Sequence, residues 1–512
     1  MPHSLSKSKY TSFRKCAKCL WLGTYKPELQ EIDASTQAAF ERGNEVGDLA
    51  MQLLGDFVEV TDFTPDGRLD IKAMLDRTQA CLADGTENIC EASFSTNGHY
   101  CAVDILHKTA GGYAIYEVKS SSFSLTDGDS RDLEKYVPDI AYQKWVLTQS
   151  GINVTGTYLV CLNKDYVRHG SLDLHQLFVT IDMGPMIAVE YALVPSLAAE
   201  ALKVVNSSVE PEQDLFENCH KPYGCAFWNY CKRLHGIPED EPTVFDLYRA
   251  NYDVQLKHYR AGRIRFNDLL NEKLTDAQRR QVECSLQQKE LINPDGIRAF
   301  LDKLSFPLYF LDFETMQDAV PQYEGTKPYQ QIPFQYSLHI RQSRENDNYE
   351  HKEFLAPSDG SDPRRALAEQ LCRDIPMNVC TMAYNKSFEC SRINELATLY
   401  PDLADHLHNI AEHIVDLIEP FRGGHYYVPA MGGSNSIKSV LPALFPDDPR
   451  LNYHNLSELC QNGGDAMSIF PRIKDMAPEE AAAAREALLR YCELDTWAMV
   501  VVWERLLEVA EK

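Results

Sequence analysis

The sequence has no apolar run that approaches the roughly 20 residues needed to cross a membrane as a helix. Its first residues also lack the apolar core of a signal peptide. It has no internal repeat and no long low-complexity segment. These absences predict a soluble, cytoplasmic protein with no membrane partner.

Positive charge is also scarce. The 512 residues include 50 Lys and Arg against 75 Asp and Glu, which gives a net charge of −25. Such a balance normally counts against a polyanionic partner. However, salt screens charges beyond about 10 Å, so a local patch matters more than the total, and acidic metal sites inflate the count. Net charge therefore does not exclude a nucleic-acid partner.

The first 240 residues predict a mixed α/β domain. Helices are expected at 36–54, 129–149 and 186–205, and strands at 89–95, 100–107, 113–120, 157–162 and 177–181. The chain is too long for one core, so further domains are expected. Residues 241–304 predict a polar helical linker, whose basic residues are more typical of a solvated helix face than of a phosphate contact. Residues 305–512 predict an open sheet covered by helices.

Two acidic motifs in the C-terminal half predict a metal centre. Asp312 and Glu314 follow an apolar run typical of a buried strand, and residues two apart on a strand share a face. On a helix, Tyr491 and Asp495 lie one turn apart on one side. Buried carboxylates on a shared face repel each other unless a cation holds them. Paired metal ions held by carboxylates commonly cleave phosphodiesters.

A third motif completes a resemblance over residues 305–510. Glu389 opens a predicted helix after an apolar strand, and Asp416 is a further candidate, although an Asp there can also cap a turn. In order and spacing the set resembles the DEDD exonucleases, the DnaQ-like branch of the ribonuclease H fold. The matching segments are Asp312-Phe313-Glu314, Asn385-Lys386-Ser387-Phe388-Glu389 and Tyr491 with Asp495.

This resemblance implies a role for each residue. Asp312 would bridge two Mg²⁺ or Mn²⁺ ions, Glu314 and Asp495 would complete the ligand set, and Tyr491 would orient the attacking water. Glu389 stands where the family has Asp, and its extra methylene would still allow it to act directly or through water. The implied activity is two-metal-ion 3′→5′ exonuclease activity.

A second acidic set lies on two neighbouring predicted strands of the N-terminal half. Asp104 lies on one strand, and Glu117 and Lys119 share a face of the next. Asp…Glu-x-Lys resembles the PD-(D/E)xK nucleases, which have a restriction-endonuclease-like core, and Glu91 and Gln143 match further positions of the RecB and AddB branch. The resemblance implies that Asp104, Glu117 and Glu91 bind metal and that Lys119 and Gln143 complete the catalytic centre.

One position departs from that branch, whose members often carry a metal-binding His after an Arg-Gly on the first helix. Here Arg42-Gly43 is followed by Gly47 at that place, and Glu45 is not an equivalent ligand. The metal would then be held more weakly or by carboxylates alone. The plain alternative is an amphipathic hairpin with an exposed Glu and Lys.

A group of cysteines flanks this N-terminal core. Three lie after it with five residues between successive members: Cys219, Cys225 and Cys231. With Cys16 upstream, they resemble the iron–sulfur staple of AddB and of the RecB-like nuclease of CRISPR adaptation, and four thiolates suit a [4Fe–4S] cluster. Cys19 is a spare ligand and His220 a weaker one. Zn²⁺ is the alternative metal, but the Cys-x₂-Cys knuckle typical of zinc is missing among the later cysteines. Unrelated buried thiols are the remaining alternative.

The whole chain resembles a bacterial family that fuses a RecB-like iron–sulfur nuclease module to a DnaQ-like exonuclease module. The resemblance implies a metal-dependent nuclease that acts on DNA or RNA, with DNA favoured, and that has a 3′→5′ exonuclease centre in the C-terminal half and a PD-(D/E)xK centre in the N-terminal half. One alternative is a nucleic-acid-binding iron–sulfur scaffold in which only the C-terminal centre, or neither, is catalytic. Another is a hydrolase of small nucleotides.

Overall fold

The computed structural model describes residues 3–31, 43–345 and 348–511. The chain is mixed α/β with open sheets, as the sequence predicts. It divides into two compact units. The first consists of Met1–Pro238 with Asp318–Tyr329, and the second of Glu239–Gln317 with Gln330–Lys512. Residues 241–304, expected as a linker, are thus grouped with the second unit.

The first unit is built on a seven-stranded sheet. Six of its strands follow the order β2–β3–β4–β5–β6–β7, and the seventh, β1, pairs with β4. Strands β3, β4 and β5 form an antiparallel meander, β6 is parallel to β5, and β7 is antiparallel to β6. The strands are Leu5–Ser6 (β1), Val58–Glu59 (β2), Asn88–Thr96 (β3), His99–Thr109 (β4), Gly112–Phe123 (β5), Val154–Asn163 (β6) and Phe178–Asp182 (β7).

Two turn regions of this meander require glycine. Asn97 and Gly98 join β3 to β4 and both have positive φ, as a two-residue hairpin turn of type I′ needs. Gly112 opens β5, and a Cβ there would lie 2.1 Å from the backbone oxygen of Asn153. Only a residue without a side chain therefore fits where β5 begins beside the segment before β6.

Helices cover this sheet. They are Lys7–Lys15 (α1), Ala17–Tyr25 (α2), residues 43–50 (α3), Ile71–Asp84 (α4), Val137–Gln149 (α5), Leu174–Leu177 (α6), Gly184–Val205 (α7) and Trp228–Leu234 (α8). Residues 36–42 of the helix predicted at 36–54 lie outside the described residues. The helix predicted from residue 129 was placed too early, because Ser130–Tyr136 is a 3₁₀ segment. The α-helix starts near Pro138, whose missing N–H is tolerated only in the first turn.

Helix α7 corrects the expectation that no segment is long and apolar enough to cross a membrane. Among the residues that the structure describes, it is the single helix that meets this requirement by length and composition. One side carries Glu190, which binds Arg14 Nε at 2.6 Å and accepts a hydrogen bond from Tyr10. That side also buries residues three to four apart, as an amphipathic helix packed on a sheet does: Ile187, Val194, Ala198, Ala201 and Val205. Length and composition alone are therefore weak evidence for a membrane span.

The second unit contains a five-stranded sheet with the order β11–β10–β9–β12–β13. Strands β9, β10 and β11 are antiparallel neighbours, whereas β12 and β13 run parallel to β9. A separate antiparallel pair joins β8 to β14. The strands are Leu291–Ile292 (β8), Leu308–Met316 (β9), Ile332–Arg341 (β10), Tyr349–Leu355 (β11), Cys380–Ala383 (β12), Ile414–Asp416 (β13) and Tyr426–Tyr427 (β14).

The second unit also contains α-helices, several of which pack on this sheet. They are Tyr252–Arg260 (α9), Asp276–Gln287 (α10), Pro294–Leu301 (α11), Arg364–Asp374 (α12), Ser387–Leu399 (α13), Ala404–Glu412 (α14), Glu419–Arg422 (α15), Ile437–Leu444 (α16), Gly463–Ile469 (α17) and Pro478–Ala510 (α18). Helix α18 buries Trp503, Leu506 and neighbouring side chains against Phe310 and Leu308 of β9. This packing lays one face of α18 on the central strand.

Candidate active sites

The C-terminal candidate site forms where β9 meets α18. Asp312 and Glu314 share one face of the strand, and α18 presents Tyr491 and Asp495 one turn apart. These four side chains line one cleft of about 200 Å³. The structure thus brings together four predicted residues that are 183 positions apart at the extremes (495 − 312).

Repulsion dominates the electrostatics of this cleft. Burial raises the pKa of Asp312 well above its ordinary value, and the charges of Asp495 and Glu314 raise it further. Burial and Asp495 likewise raise the pKa of Glu314. Burial also raises the pKa of Asp495. Without a metal ion, ionising all three carboxylates together is therefore unfavourable, and a bound cation would offset their burial and mutual repulsion.

Two further residues of the cleft were not predicted. Lys438, on α16, donates a hydrogen bond of 2.7 Å to the Tyr491 hydroxyl, and its charge lowers the pKa of all three carboxylates. Tyr453 donates a hydrogen bond to Asp495 Oδ1. A lone lysine in the apolar helix around Val440 and Leu441 was a usable signal for Lys438. No local pattern marks Tyr453.

Glu389 and Asp416 lie beside the cleft but differ in their hydrogen bonds. Glu389 is buried, and its charge raises the pKa of Asp312. Burial, with a smaller contribution from Asp416, raises the pKa of Glu389 itself to about 8. Its Oε2 has no hydrogen-bond partner within the described ranges. Asp416 instead accepts hydrogen bonds from the backbone of Asn385 and Ile418, so it caps the turn there.

The donor set fits a hard divalent cation. Carboxylate oxygens are the ligands that Mg²⁺ and Mn²⁺ prefer, and Glu389 Oε2 is a buried oxygen without a partner in the described residues. Cys492 also lies here, since its sulfur and one oxygen each of Asp312 and Glu314 lie within 4.8 Å of one another. Burial raises the pKa of Cys492 well above its ordinary value. Mg²⁺ and Mn²⁺ prefer the carboxylate oxygens of this cleft to the Cys492 sulfur.

The N-terminal candidate site joins β4, β5 and α5. Glu117 is fully buried and accepts hydrogen bonds from Lys119 Nζ at 2.7 Å and from Gln143 Nε2 at 2.6 Å. Asp104 Oδ2 accepts the backbone N–H of Val118 at 2.6 Å, which holds it beside the same strand. The structure thus brings the predicted Asp, Glu, Lys and Gln together.

Lys7, which was not predicted, adds a second ammonium to this site. Its Nζ lies 3.0 Å from Glu117 Oε1 and 3.8 Å from Asp104 Oδ1. Burial acts to raise the pKa of Glu117, but Lys119 and Lys7 outweigh it and lower that pKa to about 2. Asp139, one turn before Gln143, binds Lys119 at 2.9 Å. Spacing on α5 could have indicated Asp139, whereas no pattern links Lys7 to this site.

Glu91 lies on β3 at φ +57°, a conformation that non-glycine residues rarely adopt. Burial and the charge of Asp104 raise its pKa to about 7, so it belongs to the same acidic set. Glu45, near Gly47, is exposed and raises the pKa of Asp318 instead. Arg42 lies outside the described residues.

All five cysteines of the predicted group line one cavity, beside Lys15 and Lys18: Cys16, Cys19, Cys219, Cys225 and Cys231. A hydrogen bond from the Cys19 thiol lowers the pKa of Cys225 to about 6, while burial raises that of Cys231 to about 12. Thiols from both ends of the unit therefore converge on one place, which random burial of unrelated cysteines does not require.

The donor set suits more than one metal group. Four thiolates can hold a [4Fe–4S] cluster or one tetrahedral zinc ion. The hydrogen bond between Cys19 and Cys225 shows that these two sulfurs lie in direct contact.

Comparison with known proteins finds a family model similar to part of the C-terminal half and uncharacterised relatives of low identity. Residues 309–436 match "Domain of unknown function (DUF2779)". The chain is 26% identical over 457 residues to the uncharacterized protein MG366 homolog of Mycoplasma pneumoniae. The aligned region covers 79% of this chain and 68% of that protein. The chain is also 27% identical over 224 residues to the uncharacterized protein UU173 of Ureaplasma parvum. That alignment covers 39% of this chain and 31% of the relative. The family match includes Asp312, Glu314 and Glu389 but ends before Lys438 and α18.

Proposed function

We propose that this protein is a metal-dependent nuclease whose C-terminal centre removes nucleotides from the 3′ ends of DNA. The observation that carries the proposal is the convergence of Asp312, Glu314 and Asp495 in one cleft, with Lys438 beside them. Neutralising such a set takes cations, and a carboxylate-held metal pair is suited to phosphodiester cleavage.

The order and direction of the strands around this cleft support a ribonuclease H-like fold for the second unit. Three antiparallel strands followed by two parallel ones, with the Asp-x-Glu motif on the central β9, is the arrangement that a ribonuclease H-like exonuclease domain requires. In the first unit, an antiparallel meander followed by α5 and the parallel β6 suits a PD-(D/E)xK core. We therefore propose these two folds for the two units.

We propose a different role for each group of residues in the C-terminal cleft. Asp312, Glu314 and Asp495 would hold two Mg²⁺ or Mn²⁺ ions, which when bound supply hydroxide and stabilise the leaving oxygen. The hydrogen bond from Lys438 fixes the Tyr491 hydroxyl, which is then positioned to orient the attacking water. The Lys438 ammonium also adds positive charge where a phosphate would develop negative charge.

An end-labelled single strand tests the C-terminal assignment. Wild type in Mg²⁺ or Mn²⁺ should shorten a 5′-labelled DNA strand from its 3′ end, and Asp312→Asn should abolish this while its circular dichroism spectrum is unchanged. Asp405→Asn, at an exposed position at the start of α14, is the matched control. Undiminished digestion by Asp312→Asn would refute the proposal. The same assay with RNA and with dinucleotides decides the substrate class.

The N-terminal unit has a second candidate function, as a nucleic-acid-binding platform without catalysis. Lys7 favours it, because an ammonium already neutralises Glu117 and faces Asp104. A double variant, Asp104→Ala with Lys119→Ala, separates the two functions. Lost endonuclease or trimming activity with retained 3′→5′ activity indicates a second catalytic centre. Unchanged cleavage with unchanged strand binding indicates a platform.

We also propose that the cysteine group holds a [4Fe–4S] cluster, with Cys219, Cys225 and Cys231 as ligands and either Cys16 or Cys19 as the fourth. The cluster would tie the two ends of the first unit together, since α1–α2 and α8 are far apart in sequence. Protein purified without oxygen should be brown and absorb near ~400 nm. A colourless protein with one bound zinc would instead favour the zinc alternative.

A further inference from the structure

A second potential ligand set lies on the second unit, near the cleft but made of other side chains. It consists of His339 on β10, His351 on β11 and Glu493 on α18. One ligand atom from each lies within 4.8 Å of the other two. His339 and His351 are direct partners in the antiparallel register, which puts both side chains on the face that α18 covers. Their rings stack with centroids 4.6 Å apart.

Hydroxyl groups orient both rings. His339 Nδ1 lies 2.8 Å from Thr496 Oγ1, and His351 Nε2 lies 3.0 Å from Ser337 Oγ. The two hydroxyls also bond to each other at 2.7 Å. In the described residues, the other nitrogen of each ring has no hydrogen-bond partner. Metal-binding histidines are typically held in this way, with one nitrogen bonded to a neighbour and the other left for the ion.

The surroundings suit an ion rather than an isolated histidine pair. His339 is buried, while His351 and Glu493 are partly open to solvent, so an ion has a route to the set.

We infer that His339, His351 and Glu493 form a binding site for a divalent transition-metal ion, with Zn²⁺ as its natural occupant. Two imidazole nitrogens with one carboxylate oxygen suit zinc, whereas Mg²⁺ prefers oxygen ligands only. Ligand atoms around a tetrahedral zinc ion lie about 3.4 Å apart. Binding would therefore require the two imidazole rings to rotate out of their stacked arrangement.

The ion would fasten the sheet edge to the last helix. Strand β11 is the outermost strand and is held to the sheet only through β10. Glu493 lies on α18 between Tyr491 and Asp495. A zinc ion shared by β10, β11 and α18 would therefore fix the helix that carries two residues of the cleft. This role in positioning does not depend on what reaction the cleft performs.

Zinc content measures the site directly. The full-length protein is loaded with ZnCl₂, passed through a desalting column and assayed for zinc per chain. We expect His351→Ala and Glu493→Gln each to hold one equivalent less than wild type. His169→Ala, which removes an exposed histidine bound to Glu324, should match wild type. Equal zinc content in all four proteins would overturn the site.

Cobalt distinguishes this set from the cysteine group, whose thiols would also take up added zinc. Co²⁺ bound by thiolates absorbs strongly in the near ultraviolet, while Co²⁺ bound by imidazole and carboxylate gives only weak visible bands. The difference spectrum of wild type minus His351→Ala should contain visible bands alone. A difference dominated by the thiolate band would place the lost ion at the cysteines and refute the site. His351 lies on an edge strand and is partly exposed, so its replacement should leave the fold intact.

Discussion

Lys7 Nζ lies 3.0 Å from Glu117 Oε1, although 110 residues separate the two. The lysine begins α1, and the glutamate lies at the middle of β5. With Lys119 on the other side, Glu117 has two ammonium partners and a pKa of about 2. The charged form of Glu117 is thus stabilised by the protein itself, although burial and Glu117 raise the pKa of neighbouring Asp104 to about 6. Among the described residues, Lys438 is the cation that lowers the pKa of the carboxylates in the C-terminal cleft. This difference gives the two centres different expected responses to metal.

Replacing Lys7 should strengthen metal binding at the N-terminal centre. Lys7→Met removes a cation that competes for Asp104 and Glu117, so Mn²⁺ affinity should rise about tenfold, which corresponds to roughly 1.4 kcal/mol. Stability should fall by about 1–3 kcal/mol, because Glu117 keeps Lys119 and Gln143 as partners. Mn²⁺ titration in an Asp312→Asn background measures the affinity. Lys9→Met, on the same helix but bonded only to the Ser4 carbonyl, is the control. Unchanged affinity in Lys7→Met would mean that these carboxylates do not bind metal.

Replacing Lys438 should separate metal affinity from rate at the C-terminal centre. Lys438→Met removes the positive charge that lowers the pKa of the three carboxylates, so Mn²⁺ should bind several-fold more tightly. The rate of 3′→5′ degradation should fall about 10- to 100-fold, because the Tyr491 hydroxyl loses its donor. Single-turnover rates at saturating Mn²⁺ test this, with exposed Lys474→Met as the control. A variant with weaker metal binding and an unchanged rate would contradict the role of Lys438.

Glu389 should make the metal-free protein less stable as pH rises. Its pKa is raised to about 8 in the folded chain, against about 4.5 when unfolded, so the folded state binds the proton more tightly. The resulting stability is complete below about pH 4.5 and is lost as pH rises to about 8. Glu389→Gln should reduce this loss by a few kcal/mol, since each pKa unit corresponds to about 1.4 kcal/mol. Urea unfolding in EDTA between pH 5 and 9 measures it.

The control for this pH effect lies on the same helix. Glu395 is exposed and bound to Arg392, so Glu395→Gln should keep the wild-type pH dependence. Saturating Mg²⁺ should flatten the wild-type curve, because the ions replace the proton. An identical slope in wild type and Glu389→Gln would show that this carboxyl does not titrate in the window.

Cys225 should be the most reactive thiol of the cysteine group in metal-free protein. The hydrogen bond from Cys19 lowers its pKa to about 6, so it is largely thiolate at pH 7, while Cys231, with a pKa of about 12, is not. Iodoacetamide labelling between pH 5 and 9, followed by peptide mass analysis, should show a midpoint near 6 for Cys225. Cys19→Ala should move that midpoint upward, and Cys231→Ser should not. Equal labelling of all thiols at pH 7 would contradict this.

Local patterns in the sequence were sufficient for much of the C-terminal site. The period of two on β9 puts Asp312 and Glu314 on one face, and the period of 3.6 on α18 puts Tyr491 above Asp495. Both follow from backbone geometry within a few residues, so no tertiary information is needed. The same reasoning located the meander that carries Asp104 and Glu117 and most of the helices around it. It failed at residues 129–136, where a proline just downstream delayed the α-helix.

By itself, the sequence determined which side chains share a face, because strand and helix periods are set by the local backbone. The tertiary structure alone decided which distant side chains meet. Lys7 reaches Glu117, Lys438 reaches Tyr491, and strand register pairs His339 with His351. Such meetings depend on how whole elements pack, and packing is a collective result of the buried core rather than of any short segment.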